Sequence, residues 1–219
     1  RKNSRKLIPL LLLAAILLPI VVDNSYVLGI CTKILLYMLL ASSVNVINGY
    51  SGQFAIGHAG FLCVGAYTAA ILMARANVPF FLAMLGAGVM TALFGMLVSF
   101  PIGKLSGIYL GFVTLGFSEI VRIICLNWTP VTGGPMGIKA IPGPKIFGFS
   151  LQSSRGYYYI IFTVLVIMVF CTSRILKSRT GRAWISIREN GAAAASIGIN
   201  TAQYKTMNIM YATFWEGCA

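Results

Sequence analysis

The segment YYYIIFTVLVIMVFCT (Tyr157–Thr172) runs directly into SRILKSRTGRAWISIRENGAAAASIGIN (Ser173–Asn200) near the end of the sequence. The first segment is apolar and uncharged, whereas the second carries five Lys and Arg residues and a single Glu. A long apolar run bounded by polar residues favours a membrane-spanning helix. The junction therefore predicts a polytopic membrane protein of the all-α class.

Composition extends this prediction to the whole chain. Of 219 residues, 58% are hydrophobic and 10% are charged, and 17 Lys and Arg residues face 4 Asp and Glu residues for a net charge of +13. The basic residues lie in short breaks between apolar runs, which is the pattern that orients membrane helices rather than one that binds nucleic acid. One His, four acids and five isolated Cys residues predict neither a metal site nor a catalytic site.

The apolar runs predict about seven spans, in a single permease-like domain over residues 1–219. They are Leu7–Val22, Val27–Ile47, Phe54–Ala74, Phe80–Phe100, Ile108–Leu126, Tyr157–Thr172 and a seventh that begins near Tyr204. A signal peptide competes for the first run, but no small-residue cleavage site follows it, which favours a retained helix. The chain begins without Met and stops inside an apolar run, so we expect both ends, including the C-terminal spans, to be incomplete.

The distribution of positive charge predicts the orientation of these spans. If the N-terminus is cytoplasmic and every span crosses, one side holds 11 Lys and Arg residues and the other holds 4, while Lys33 and Arg122 lie within spans. Cytoplasmic loops carry the excess of Lys and Arg. Residues 173–203 are then a cytoplasmic loop, and the Gly- and Pro-rich residues 127–156 are an extracytoplasmic loop.

A glycine-rich break, NGYSGQ (Asn48–Gln53), separates the second and third spans. The small residues that follow it let helices approach closely, so packing explains most of them. Packing does not explain Ser51, Gln53 and His58, because polar side chains in hydrocarbon are costly unless they face protein or water. We expect these three to line a solute path through a broken helix, with a hydrogen-bonded structural role as the alternative for His58.

The fifth span carries Thr114, Ser118 and Arg122 at intervals of four residues, with Glu119 three residues before Arg122. This spacing predicts that the four groups share one helix side and that Glu119 pairs with Arg122. An ion pair inside a span faces the bundle interior or an aqueous cavity. A role in the solute path and a structural role in helix register both remain open.

The basic stretch divides into two short helices at its glycines. Thr180 is a candidate N-cap for a helix that continues through Arg188 and ends at Gly191, and Gly198 is a candidate end for the second helix. Asn200 is a candidate cap for the last span.

The first of these short helices is amphipathic. Trp184, Ile187 and Gly191 lie along one side, and Arg182 and Glu189 lie along the other. Exposed Trp184 and Ile187 within a polar rim favour a protein-docking surface. A solvated loop that only sets topology and a helix on the membrane surface are the alternatives.

Three blocks resemble the branched-chain amino-acid ABC transporter permease family, and specifically the M-type subunit of its paired permeases. They are NGYSGQFAIGHAGFLCVGAYTAA (Asn48–Ala70), GIYLGFVTLGFSEIVRIICLNWTPVTGGPMGI (Gly107–Ile138) and SRTGRAWISIRENGAAAASIGINTAQYK (Ser178–Lys205). The blocks occur in the family's order. One departure is Glu216, which falls in the seventh span where the family usually has small or apolar residues.

The resemblance implies a half-channel in the bacterial inner membrane that pairs with a second, homologous permease. Two cytoplasmic subunits would bind ATP and Mg, this chain would bind no cofactor, and a solute-binding protein would meet residues 127–156. The implied path or gate residues are Ser51, Gln53, His58, Glu119 and Arg122. The implied ATPase-coupling loop includes Gly181, Arg182, Ala183, Trp184, Ile187, Arg188, Glu189, Asn190, Ala194 and Gly198.

The implied substrates are leucine, isoleucine and valine, with urea or another amide-like solute as the alternative within related permeases. A secondary transporter would show coupling carboxylates near the midplane and matching repeats, whereas only Glu119 and Glu216 lie in predicted spans. The chain also lacks a GxxxxGK[ST] phosphate-binding loop. We therefore expect a transport subunit that does not itself hydrolyse ATP.

Overall fold

The computed structural model describes residues 15–20, 24–102, 108–139, 141–146, 149–150 and 153–219. Residues 15–20 are helical, and the hydroxyl groups of Tyr158 and Tyr159 donate to the carbonyl oxygens of Ala15 and Ile16. The rest of the predicted first span lies outside the described residues.

The described part of the chain is built almost entirely of helices. They are α1 Ser25–Asn45, α2 His58–Ala74, α3 Phe80–Ile102, α4 Ile108–Asn127, α5 Thr129–Thr132, α6 Ser154–Lys177, α7 Arg179–Glu189, α8 Gly191–Ser196 and α9 Thr201–Cys218. A π-helical turn, Val46–Tyr50, extends α1, and a 3-10 turn, Gly134–Met136, follows α5. Strands β1, Lys145–Ile146, and β2, Phe149–Ser150, form a two-residue antiparallel hairpin in the long loop. The all-α prediction is thus confirmed apart from this hairpin.

Four described segments are long and apolar enough to cross a membrane: Ser25–Tyr50, Phe80–Phe100, Tyr109–Asn127 and Ser154–Lys177. Between 11% and 28% of the residues in their apolar windows are buried within the chain. Most apolar side chains of these four segments therefore lie on the outer surface, as expected for a protein embedded in a membrane. α2 is apolar but shorter, so a count of seven spans stays a prediction.

Helix α6 is longer than the apolar run that predicted it. Ser153 caps its start by accepting a hydrogen bond from the backbone N–H of Arg155, and its last turn contains Arg174 and Lys177. Cations near a helix C-terminus are favourable because the last carbonyl groups carry partial negative charge. The helix consequently continues five residues past Thr172, where the predicted apolar span ends.

The chain is not helical between the π-helical turn and α2, so the helix of the third predicted span begins at His58, four residues after Phe54. The side chain of Asn48 accepts a hydrogen bond from the backbone N–H of Ala55 at 3.2 Å, and Thr114 Oγ1 accepts one from Ile56 N–H at 3.1 Å. Backbone groups inside a membrane need such partners whenever they leave a helix. Side chains of the neighbouring elements thus make the break possible.

Helix α9 lies at the centre of the bundle and packs closely on α2 and α3. A Cβ atom added to Gly65 would lie 2.6 Å from Gly217 Cα, and one added to Gly217 would lie 2.7 Å from Ala87 O. These close approaches need glycine, because small residues let the backbones of membrane helices come close together. They place Glu216, the residue before Gly217, inside the bundle.

Candidate functional site

A fully buried carboxylate occupies the contact between α1, α2 and α9. Glu216 and Ser43 are both 0% exposed, and Glu216 Oε1 accepts a hydrogen bond from Ser43 Oγ at 2.9 Å. His58 Nδ1, at the start of α2, lies 2.6 Å from the same oxygen. Glu216 Oε2 and His58 Nε2 have no hydrogen-bond partner within the described ranges. Three residues that are far apart in sequence therefore form one polar centre, which we call the Glu216 centre.

A second buried network joins the broken segment to α9. Gln53 Nε2 lies 2.8 Å from Ser51 Oγ, 3.3 Å from Asn208 Oδ1 and 3.3 Å from Lys205 O. Asn208 Nδ2 in turn donates to Val46 O at 3.1 Å. Buried polar groups that are satisfied in this way hold the backbone around them in one arrangement. Two of the predicted path residues, Ser51 and Gln53, are thus brought together, and His58 belongs to the Glu216 centre instead.

Helix α4 supports the broken segment from its other side. Ser118 Oγ donates to Gly57 O at 2.8 Å and accepts from Gly60 N–H at 3.1 Å. Thr114, buried at 2% exposure, accepts from Ile56 N–H as described above. Thr114 and Ser118 therefore position the polar turn from which α2 begins.

Glu119 and Arg122 form the predicted ion pair, with Arg122 Nε 2.9 Å from Glu119 Oε2. Their side chains are 51% and 60% exposed whereas Thr114 is buried, so the prediction that the four groups share one helix side is wrong. A helix turns by about 100° per residue, which places Arg122 about 80° and Glu119 about 140° around the axis from Thr114. The pair lies on the outer surface of this chain and does not join the buried centre.

Trp184 and Ile187 of α7 are buried, although the sequence predicted that they are exposed. Trp184 is 1% and Ile187 is 5% exposed, and Trp184 Nε1 donates to Tyr204 O at 3.0 Å. Both side chains pack on their own chain, because α7 folds back against α9 and the π-helical turn. The expectation that Trp184 and Ile187 are presented to a partner is therefore wrong.

Arg188 ties α7 to the glycine-rich break. Its Nη1 donates to Gly49 O at 2.9 Å, and its Nη2 lies 2.6 Å from Glu189 Oε1. Gly52 has φ +66°, and a Cβ atom there would lie 2.7 Å from Arg188 Cγ. The close approach of Arg188 thus requires glycine at position 52, both for its backbone conformation and for its lack of a side chain.

The exposed surface of α7 and α8 differs from the predicted one. It includes Arg182 and Glu189. It also includes two isoleucines that were not predicted, Ile185 at 36% and Ile197 at 74% exposure. Gly181 and Ala183 are buried on the inner side, as is Ala194 of α8. Periodicity alone does not show which apolar side is turned inward, and the contact with α9 decides it.

The predicted helix ends in this region are partly confirmed. Gly198, with φ +88°, ends α8, and Asn200 Oδ1 accepts from Gln203 N–H at the start of α9. The N-cap predicted at Thr180 is wrong, because α7 begins at Arg179 after Ser178. Gly191 does not end α7 but begins α8, since Asn190 Oδ1 accepts from the backbone N–H groups of Ala192 and Ala193.

Sequence reasoning missed three members of the buried networks, Ser43, Asn208 and Glu216. The sequence did carry a signal for Glu216, because an acidic residue in an apolar span is costly and indicates a functional role. Ser43 and Asn208 carried no comparable signal, since Ser and Asn occur singly in many membrane helices. Their partners lie more than 150 positions away along the chain.

The fold and these networks define a helical, membrane-embedded protein with a polar centre around a broken helix. A sequence profile of the family described as "Branched-chain amino acid transport system / permease component" matches residues 26–215. The chain therefore belongs to this family, which confirms the resemblance found in the sequence. No solved structure matches the chain.

The relatives of the chain carry related names. Over 232 residues it is 36% identical to the high-affinity branched-chain amino acid transport system permease protein LivM of Escherichia coli (strain K12) and to the protein of the same name from Salmonella typhimurium. Each alignment covers 95% of this chain and 54% of the relative. The probable branched-chain amino acid transport permease protein LivM of Methanocaldococcus jannaschii is 26% identical over 212 residues, covering 80% of this chain and 60% of that protein. The chain thus spans about half the length of the curated relatives it matches.

Proposed function

We propose that the chain belongs to the permease subunit of an ATP-binding cassette importer for leucine, isoleucine and valine in a bacterial inner membrane. Membership of the permease family and the names of the relatives support this function. The structural observation that carries it is the direct attachment of α7 to the broken helix through Arg188 and Gly49. A transporter needs such a link between a driving subunit and its solute path.

The proposed arrangement has about seven spans with a cytoplasmic N-terminus. Residues 173–203 face the cytoplasm, and residues 127–156 face the solute-binding protein on the other side. The excess of Lys and Arg on the proposed cytoplasmic side supports this orientation. A reporter fused after Arg188 should be cytoplasmic, and an extracytoplasmic reporter would reverse the assignment.

Helix α7 is the proposed coupling helix for one of two ATP-binding subunits, which would hold the ATP and Mg. The burial of Trp184 and Ile187 changes how the helix is used. These side chains anchor α7 to α9 and the π-helical turn, while Arg182, Ile185 and Ile197 provide the exposed contact surface. A movement imposed on the exposed side would then pass through Trp184 and Arg188 into the broken segment.

Arg188→Ala tests this route. The substitution removes a hydrogen bond between a charged group and a backbone carbonyl, which is worth about 1.5–3 kcal/mol. Solute uptake per ATP hydrolysed should fall by about tenfold or more, while membrane insertion is retained. Arg174→Ala is the matched control, because Arg174 is a nearby basic residue whose guanidinium lies over Phe170 and not on the break. Equal uptake per ATP in both variants would refute the route.

The full transport function is tested with the full-length protein, reconstituted with its ATP-binding subunits, second permease and solute-binding protein. ATP hydrolysis should be stimulated by leucine, isoleucine and valine, and not by urea. Stimulation by urea alone would identify an importer of amide-like solutes. Stable purification of the subunit alone with ATP-independent uptake would instead indicate a secondary transporter.

A further inference from the structure

Two of the five cysteines are brought into contact by the fold. Cys63 lies in the second turn of α2 and Cys125 lies near the end of α4, and their Sγ atoms are 3.6 Å apart although the two residues are 62 positions apart in the sequence. Both thiols are free and partly exposed. The tertiary fold therefore creates a close pair of thiols from cysteines that are isolated in the sequence.

The packing of α2 on α4 holds this pair together. Gly57, Gly60 and Cys63 follow one another at intervals of three residues, and a Cβ atom at Gly60 would lie 2.6 Å from Ser118 Cα. Residues three apart are neighbours on a helix surface, so Cys63 continues the side of α2 that packs on α4. The two sulfur atoms need to approach by roughly 1.5 Å to reach the covalent distance of about 2.05 Å. Thermal displacements of protein atoms, at about 0.9–1.5 Å, are of similar size.

The pair also lies beside the long polar loop. Cys125 is two residues from the end of α4, and its carbonyl oxygen accepts a hydrogen bond from Thr132 Oγ1 at 2.7 Å. In the proposed orientation, the loop of residues 127–156 is extracytoplasmic. Disulfides form and persist in the bacterial periplasm, so an oxidant that carries a disulfide is available on that side.

We propose that Cys63 and Cys125 form a thiol modification site, which a small or protein-borne disulfide oxidises to a bridge between α2 and α4. One cysteine thiolate attacks a sulfur of the oxidant, forms a mixed disulfide and releases the first thiol product. The other cysteine thiolate attacks the sulfur of its neighbour, closes the Cys63–Cys125 bond and releases the second thiol product. The two cysteines lose two electrons and two protons, and the oxidant gains them as it becomes two thiols.

The bridge has a consequence for the broken segment. Ser118 Oγ already joins α4 to Gly57 O and to the N–H of Gly60, in the turn from which α2 begins. A covalent bond at Cys63, one turn further along, would prevent α2 from leaving α4. This consequence rests on the proposed transport function, in which movement of α7 passes into the broken segment. Bridging should therefore slow leucine uptake at least about tenfold.

The experiment treats the full-length protein in lipid nanodiscs with 2,2′-dithiodipyridine, a disulfide that enters membranes. Digestion without reductant and mass spectrometry should give a pair of peptides linked through Cys63 and Cys125, and dithiothreitol should separate them. Cys171, which is partly exposed on α6, is the comparison within the same sample. It should keep one thiopyridyl group, because no neighbouring thiol displaces it.

Variants with only two cysteines provide the matched control. One keeps Cys63 and Cys125, the other keeps Cys63 and Cys171, and every other cysteine of the full-length protein is replaced by alanine. The first should release two equivalents of thiopyridone and keep no thiopyridyl group. The second should keep two thiopyridyl groups, and any bridge should form at least about tenfold more slowly, because the thiols are not held together.

The outcomes address the site and the transport function separately. Thiopyridyl groups retained on both Cys63 and Cys125 in the folded protein, no reaction at either thiol, or equally fast bridging in the control variant would overturn the site. Undiminished leucine uptake by the fully bridged complex would overturn the restraint on α2. Absence of leucine uptake by the untreated parent complex would overturn the transport function, while the linked peptides would still decide the site.

Discussion

The Glu216 centre and the Glu119–Arg122 pair both place ionisable side chains in the helix bundle, but the first is buried and the second is exposed. Glu216 is fully buried and is held by Ser43 and His58 from two other elements. Glu119 and Arg122 are more than half exposed and are held by each other, three residues apart on α4. The first arrangement depends on the complete tertiary fold, whereas the second needs only one helix.

This difference separates two tasks for polar groups in a membrane. A buried carboxylate with partners from several helices fixes how those helices meet. A charged pair on the outer surface of an apolar helix is costly in lipid. In the proposed arrangement with a second permease, the outer pair is expected to lie against that subunit, and the following variants test the contrast.

The largest effect is expected where backbones meet beside Glu216. In Gly217→Leu, the new side chain would overlap Thr91 Oγ1 and press on Ala87 O. Backbone cannot move aside as a flexible side chain can, so the cost should reach or exceed the usual ~1–3 kcal/mol of overpacking. Size-exclusion chromatography in detergent should show little monodisperse protein.

Gly29→Leu is the control for this substitution. A Cβ atom at Gly29 meets no other atom of the described structure within 4 Å, and leucine is the better helix former by up to ~1 kcal/mol. This variant should elute as the parent protein does. Equal behaviour of the two leucine variants would show that α9 does not pack against α3 as described.

An intermediate effect is expected in the network beside the centre. Asn208→Leu removes the bond to Val46 O and leaves Gln53 with a weaker set of partners. Leaving buried groups without partners costs about 1–3 kcal/mol, so thermal unfolding should begin several degrees lower. Asn127→Leu is the matched control, because Asn127 also donates to a backbone carbonyl, that of Ile123, but is exposed. The contrast would fail if Asn127→Leu lowered the unfolding temperature as much.

The parts of the fold that depend on neighbouring residues could be predicted from the sequence. Apolar runs predicted helices α1, α3, α4 and α6, and most of the predicted ends lie within a few residues of the observed ends. Gly198 predicted a helix end and Asn200 predicted a cap. Helix α6 extends beyond the predicted span because hydropathy marks where apolar residues stop. It does not mark where backbone hydrogen bonding stops, and Lys177 still lies within the helix.

The parts that depend on distant residues could not be predicted. The sequence identified α7 as amphipathic, but the burial of Trp184 depends on the carbonyl group of Tyr204 and on α9. It identified Ser51, Gln53 and His58 as polar groups that need partners, but not that His58 would meet Glu216, 158 residues away. Polarity within a span shows that a partner is needed, and only the tertiary fold shows which one.

The smallest effect on stability is expected for the outer pair. In the isolated full-length subunit in detergent, Glu119→Arg or Arg122→Glu should lower the unfolding temperature little, because both side chains are more than half exposed and are held only by each other. Lys33→Gln, at an exposed cation of α1, provides the baseline for losing one charge.

The same variants should have their main effect on assembly. Each single charge reversal places two like charges on the outer surface of α4, and like charges at an interface oppose association. Co-purification with the second permease should therefore fall in both single variants, and the double reversal should restore it if the pair acts as a neutral unit. If the double reversal restores assembly but not transport, the order of the charges matters to the solute, and the pair lies on the path. If all three variants assemble and transport like Lys33→Gln, the outer pair faces neither the partner nor the path.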